Sequence, residues 1–153
     1  MLRQEINEAL KTAMKAQDKR ATSTLRLILA ALKDRDIAAR GEGGDDSGIA
    51  DDAILDMLQK MIKQRHDSIE QYEKGKRPDL VAQESEEIDI ITRFLPKQMD
   101  AVETTDALSA VVDELAATTI KDMGKVMGAL KERYAGRMDF AKAAQLAKAR
   151  LGG

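Results

Sequence analysis

Apolar residues along this chain recur at helical spacing, and the recurrence is broken at regular intervals. Leu2, Ile6, Leu10 and Met14 fall every four residues and predict a first helix. After the polar run "QDKRATS", Leu25, Ile28, Leu29 and Leu32 share one face and predict a second. It ends before "RGEGGDDSG" (residues 40–48), whose glycines and acids read as a mobile loop. Asp51 or Asp52 is placed to cap a third, long helix with the seam Ile54, Leu58, Met61, Ile62, Arg65, Ile69 and Tyr72. Gly75 stops it, and Pro78 starts a fourth that runs to about Leu95 before Pro96, with Leu80, Ile88, Ile91 and Leu95 inward. The polar, aperiodic "PKQMDAVETT" follows. Thr104 or Thr105 is placed to cap a fifth helix bearing Leu108, Val111, Val112 and Leu115. "KDMGKVMGAL" opens a sixth, and Asp139 caps a seventh from Phe140 to Leu151. The expected fold is all-α. An N-terminal domain of about four helices (1–96) precedes a hinge (97–104) and a C-terminal three-helix module (105–153).

The sixth helix carries a peculiarity. Gly124 and Gly128 lie one turn apart inside it, and each costs roughly 1 kcal/mol against alanine. At about 100° per residue, Met123, Val126, Met127, Leu130 and Tyr134 share one arc, which is the core face. Gly124 and Gly128 fall opposite, beside Lys121 and Lys125. The glycines therefore make a smooth, cationic strip of exposed backbone. Either another helix packs closely on that strip, or a phosphate backbone lies along it. Arg133, Arg137 and Lys142 extend the basic surface, with Lys148 and Arg150 beyond.

Charge changes the picture further. The net charge of -2 hides three segments. Residues 1–40 hold nine Lys/Arg against five Asp/Glu, 41–120 hold eight against nineteen, and 121–153 hold eight against three. A polyanion is attracted to either end and repelled by the middle. The absence of cysteine excludes disulfides, thiolate metal sites and cysteine nucleophiles. No apolar run approaches the roughly 18 residues of a membrane span, and the first residues lack the apolar stretch of a signal peptide. A cytoplasmic protein without a membrane segment is expected.

Several stretches together resemble the YqeY-like family. "KDMGKVMG", then "GRMD" and a closing "LAKARL", match its C-terminal part. "QRHDSIEQYEKG" and "GKRPDLVAQESEEIDIITRFLP" match its middle, and the likeness covers nearly the whole chain. The C-terminal module of that family is similar to the tail domain of the B subunit of tRNA-dependent amidotransferases. Those enzymes amidate Glu-tRNA(Gln) or Asp-tRNA(Asn) with glutamine as nitrogen donor. Their tail helps hold the tRNA and does no chemistry. By this resemblance Gly124, Lys125, Val126 and Met127 occupy the tail's "G-[KQ]-V-M" positions, and Gly136 and Arg137 fall near its Gly-Lys stretch. Gly128 departs, since the tail more often has a larger residue there.

The machinery of such an enzyme is missing. There is no Gly-rich amidase serine stretch and no "GxxxxGK" phosphate loop, and the acids of "GEGGDDSG" repel a nucleotide. His66 is the only histidine, and "RHDS" spreads its side chains around a helix, so they do not face one another as a triad requires. Glu84, Glu86, Glu87 and Asp89 form an acidic patch without the Glu-x-x-His pattern of carboxylate metal sites. A solvated acidic face, or salt bridges to Lys60, Lys63 and Arg65 on the preceding helix, accounts for it better. No catalytic residue, metal ligand or cofactor is expected. The leading expectation is a non-catalytic tRNA-binding protein using Lys121, Gly124, Lys125, Gly128, Arg133, Arg137 and Lys142. Amidotransferase or other translation proteins are the further partners implied. A protein–protein adaptor, and an accessory component of a carbon–nitrogen ligase with glutamine as amido-N-donor, are the alternatives.

Overall fold

A computed structural model describes residues 1–44 and 47–152. Among them are seven α-helices and no strand. Asp45 and Asp46, in the predicted loop "RGEGGDDSG", lie outside the described residues. The chain forms two compact units, Met1–Leu95 and Pro96–Gly153.

The first unit holds α1 (Leu2–Lys15), α2 (Lys19–Gly41), α3 (Asp51–Lys74) and α4 (Pro78–Thr92). Its core is aliphatic: Ile6, Ile28, Ile54, Leu58 and Ile91 are fully buried, with Leu25 and Leu32 almost so. Helix α4 packs on α2 and α3, and α1 packs on the same two. Met14 does not join the core although it continues the four-residue series; it is 50% exposed and Ala13 is buried instead. Four residues turn 400°, so the series drifts by about 40° per step, and by Met14 it has left the core face. Asp18 caps α2 by accepting the Ala21 amide at 3.1 Å. Asp51 and Asp52 lie in the first turn of α3 rather than capping it. The Asp51 carboxylate instead accepts the Leu2 amide at 3.4 Å, tying α3 to the start of α1.

Two ion pairs pin this unit. Arg65 Nε donates to Glu87 Oε2 at 3.0 Å, with both side chains almost wholly buried between α3 and α4. The same guanidinium donates to the Met61 carbonyl at 3.1 Å. The predicted acidic patch is thus partly a structural pair. The Glu84 carboxyl beside it is pushed up by burial and by the Glu87 charge, against a smaller pull from Arg65. The second pair clasps three segments. Arg3 donates to both Asp36 oxygens at 2.7 and 3.0 Å and to the Ile49 carbonyl at 3.2 Å. Asp36 also accepts the Ile49 amide at 2.9 Å. Gly48 feeds this knot with φ +90°; a Cβ there would sit 2.8 Å from Asp36 Oδ1 and collide with the Arg3 guanidinium. Only glycine satisfies both constraints.

The second unit holds α5 (Ala101–Glu114), a 3-10 turn (Ile120–Asp122), α6 (Met123–Tyr134) and α7 (Phe140–Gly152). Leu108, Val111, Val126, Leu130, Met138, Ala143 and Ala147 form its core. Helix α5 starts one turn earlier than a threonine cap would place it. Asp100 and Glu103 make a capping box there: Asp100 Oδ1 accepts the Glu103 amide at 2.8 Å, and Glu103 Oε1 accepts the Asp100 amide at 3.3 Å. Asp139 caps α7 as expected, its Oδ1 accepting the Ala141 and Lys142 amides at 3.1 and 3.2 Å.

Removing the charge of Glu87 leaves Arg65 buried without its counter-ion. Glu87→Gln is expected to lower stability by about 3 kcal/mol in chemical denaturation. Asp36→Asn is expected to cost about 1–2 kcal/mol at neutral pH. The Arg3 hydrogen bond foremost, with the Ile49 amide, holds the Asp36 carboxyl below the usual aspartate range. A depressed folded value gives stability that is present above the unfolded value and lost as pH falls through the folded one. The gap between wild type and Asp36→Asn should therefore be full near pH 7 and close in strong acid.

Candidate nucleic-acid interface

The rotation of α6 decides what the strip presents. Val126 and Leu130 are fully buried one turn apart, and Met123 and Met127 pack at their edges. Those contacts turn Gly124, Lys125 and Gly128 outward, and all three are exposed. A Cβ built on Gly124 or Gly128 would meet no other atom. Neither glycine is needed for close packing, and neither adopts a left-handed backbone. The packing of this unit does not require glycine at either position.

Asp122 ties the approach to α6 together. Asp122 Oδ2 accepts the Thr118 amide at 2.9 Å and the Thr119 amide at 3.2 Å. These two amides foremost, with the Lys125 charge behind them, hold the Asp122 carboxyl below its usual range. Asp122 is thereby turned back on the preceding loop and provides no side-chain cap for α6. The positive end of the α6 dipole is left next to Lys121 and Lys125. Lys121 stands in the 3-10 turn and Lys125 in the first turn of α6; both are exposed and form no ion pair among the described residues.

The remaining predicted residues divide. Arg133 is not a free cation: it is locked in a bidentate pair with Glu114 of α5, at 2.6 and 2.9 Å. That hydrogen bond raises the arginine and lowers Glu114. Arg137 donates to the Lys97 carbonyl at 3.3 Å and is half-buried. It follows Gly136, whose φ of +77° in a buried turn requires glycine between α6 and α7. Arg150 is tied to Ser109 and Asp113. Lys142 is exposed and unpaired but sits in the first turn of α7. Ile120 touches the other end of that helix, 3.7 Å from the position of a Gly152 Cβ. Lys142 is ten residues from Gly152, about 15 Å along the axis. The compact site is therefore Lys121, Gly124, Lys125 and Gly128, with Lys148 exposed toward the same end of α7. Sequence reasoning missed the role of Asp122, although Thr119 to Asp122 has the spacing of a helix-start box. No group of carboxylates or histidine able to hold a metal occurs among the described residues.

The model of the family described as Yqey-like protein matches residues 3–151. The chain belongs to the YqeY-like family. It is also similar to "Altered inheritance of mitochondria protein 41, mitochondrial" from several yeasts. The Saccharomyces cerevisiae protein is 40% identical over 86 residues, covering 56% of this chain and 44% of its own length. The Lachancea thermotolerans protein is 39% identical over 90 residues, covering 59% and 46%. The Kluyveromyces lactis protein is 34% identical over 89 residues, covering 58% and 45%. The match spans less than half the length of these relatives, whose names place them in mitochondria. Among the described residues no helix is long and apolar enough to cross a membrane.

The open strip makes a prediction about stability alone. Gly128 is in the interior of α6 with free space around it. Gly128→Ala is expected to raise the stability of the chain by about 1 kcal/mol and its Tm by a few degrees in calorimetry. A loss of stability would mean that the position is packed against something.

Proposed function

We propose that this member of the YqeY-like family is a non-catalytic tRNA-binding protein and that the strip on α6 is its contact surface. The observation carrying this reading is the pair of outward glycines, Gly124 and Gly128, beside Lys121 and Lys125, which form no ion pair among the described residues. Bare helix backbone lets a phosphate–sugar chain approach more closely than any side chain would allow. Lys121, Lys125 and the α6 dipole supply the attraction. Such a surface reads shape and phosphates rather than base edges. The resemblance of "GKVM" to the amidotransferase tail supports the choice of tRNA over other polyanions. Arg133 and Arg137 contribute by bracing the module, since their donors are engaged within it.

On this reading the chain acts beside other translation proteins, an amidotransferase among them, as an accessory to a carbon–nitrogen ligase rather than as the ligase. Its expected setting is the cytoplasm, and the mitochondrial names of the yeast relatives describe a compartment that also holds tRNA.

The test is retention of labelled tRNA by the full chain across a salt series. Lys121→Glu with Lys125→Glu is expected to weaken binding at least tenfold, about 1.4 kcal/mol. The double change should also make the log–log salt slope shallower by about 2. Both effects should be alike for all tRNAs. Unchanged retention would remove the strip from any role in binding. A Gly128→Leu chain that still holds tRNA, while Gly128→Leu abolishes capture of a translation protein, would favour the adaptor reading instead.

A further inference from the structure

The outer face of α2 is a second seam that the core does not use. Ser23, Leu27, Ala30, Asp34, Ile37 and Gly41 follow one another by alternating steps of four and three residues. At 100° per residue they fit an arc of about 80° diametrically opposite buried Leu25, Ile28 and Leu32. Leu27 is 49% exposed and Ile37 54% exposed, and all six positions are classed with the exposed surface of the helix. Half-exposed Met14 of α1 adjoins the start of the face, lining a shallow cleft with Ser23 and Arg26. Alternating steps of three and four residues are the a/d spacing by which one helix accepts another.

The flank of this seam has a single sign. Lys19, Arg26 and Lys33 repeat every seven residues, all exposed and none in an ion pair among the described residues. They occupy the position just before each a residue, where coiled-coil partners match charge. Apart from Asp34 on the seam itself, two nearby acids are already engaged: Asp36 holds Arg3, and Glu86 of α4 holds Arg20. We propose that the outer face of α2 docks an amphipathic helix of another protein whose flank is acidic. The flank residues Lys19, Arg26 and Lys33 set its charge, and Leu27 and Ile37 anchor it. Asp34, the one carboxylate on the seam, requires a donor at that level of the partner and fixes its register.

A second copy of this chain fits less well. Antiparallel pairing of two such faces sets one basic row against the other. Parallel pairing sets each row against Ala31 and Ala38, where no carboxylate answers it. A lipid surface is disfavoured by Asp34 in the middle of the stripe and by the long gap between Leu27 and Ile37. The inference is independent of the strip on α6.

The test uses the full chain and two synthetic four-heptad helices with leucine at a and d, save one central asparagine whose amide can donate to Asp34. One carries glutamate at e and g, and its twin carries lysine. Fluorescence anisotropy is expected to show the acidic helix binding and the basic twin binding at least tenfold more weakly. Leu27→Glu with Ile37→Glu should abolish binding while helicity by circular dichroism is unchanged. Arg26→Glu with Lys33→Glu should reverse the preference between the twins. No binding of the acidic helix, or binding untouched by the Leu27 and Ile37 changes, overturns the proposal. Two other outcomes overturn it in favour of a different occupant. One is co-sedimentation with phosphatidylglycerol vesicles that those changes abolish. The other is a wild-type dimer in sedimentation that they dissociate.

Discussion

Burial of Val126 and Leu130 is the constraint on which the reading of this protein depends. Two branched aliphatic side chains, one turn apart and fully removed from water, fix the rotation of α6 about its own axis. Burying each is worth about 1.5–3 kcal/mol, against roughly 1 kcal/mol of propensity lost at either glycine. Once the rotation is fixed, Gly124 and Gly128 have to face outward, and Lys125 with them. The core of the C-terminal unit therefore also specifies its surface. A functional strip that depended on its own weak contacts would have no such backing.

Elsewhere the same logic appears with charges in place of aliphatics. Arg65 and Glu87 hold α3 to α4 from inside, and the Arg3–Asp36–Ile49 clasp closes the far end of α1 and α2. In the C-terminal unit, Arg133 and Arg150 reach α5 through Glu114 and Asp113. Cations that brace a fold are withdrawn from ligand binding. The excess of positive charge over residues 121–153 is thus less available than its count implies, and the lysines are the part left facing solvent.

How much of this was legible in the sequence follows from the range of each interaction. Helices were legible because the Leu and Ile of each core face repeat within a few residues. The outward direction of Gly124 and Gly128 was legible for the same reason, since it needs only positions 123–134 of one helix. The start of α5 was written in the Asp100 and Glu103 spacing but was masked by the threonines after it. Met14 shows the limit of a simple repeat, because a strict four-residue series rotates away from the core. The Arg3–Asp36 clasp and the Arg133–Glu114 pair could not be read. Their members are 33 and 19 residues apart, and nothing local marks which acid each arginine will choose. For that reason the sequence alone marks Arg133 as a ligand-binding cation, and only the fold shows its partner.

The central claim is most directly tested by nuclear magnetic resonance of the isotopically labelled chain titrated with tRNA. The account predicts that the amides of Lys121, Gly124, Lys125 and Gly128 shift or broaden first, while the methyl signals of Val126 and Leu130 keep their positions. Perturbations confined to residues 1–95, or none at saturating tRNA, would contradict it.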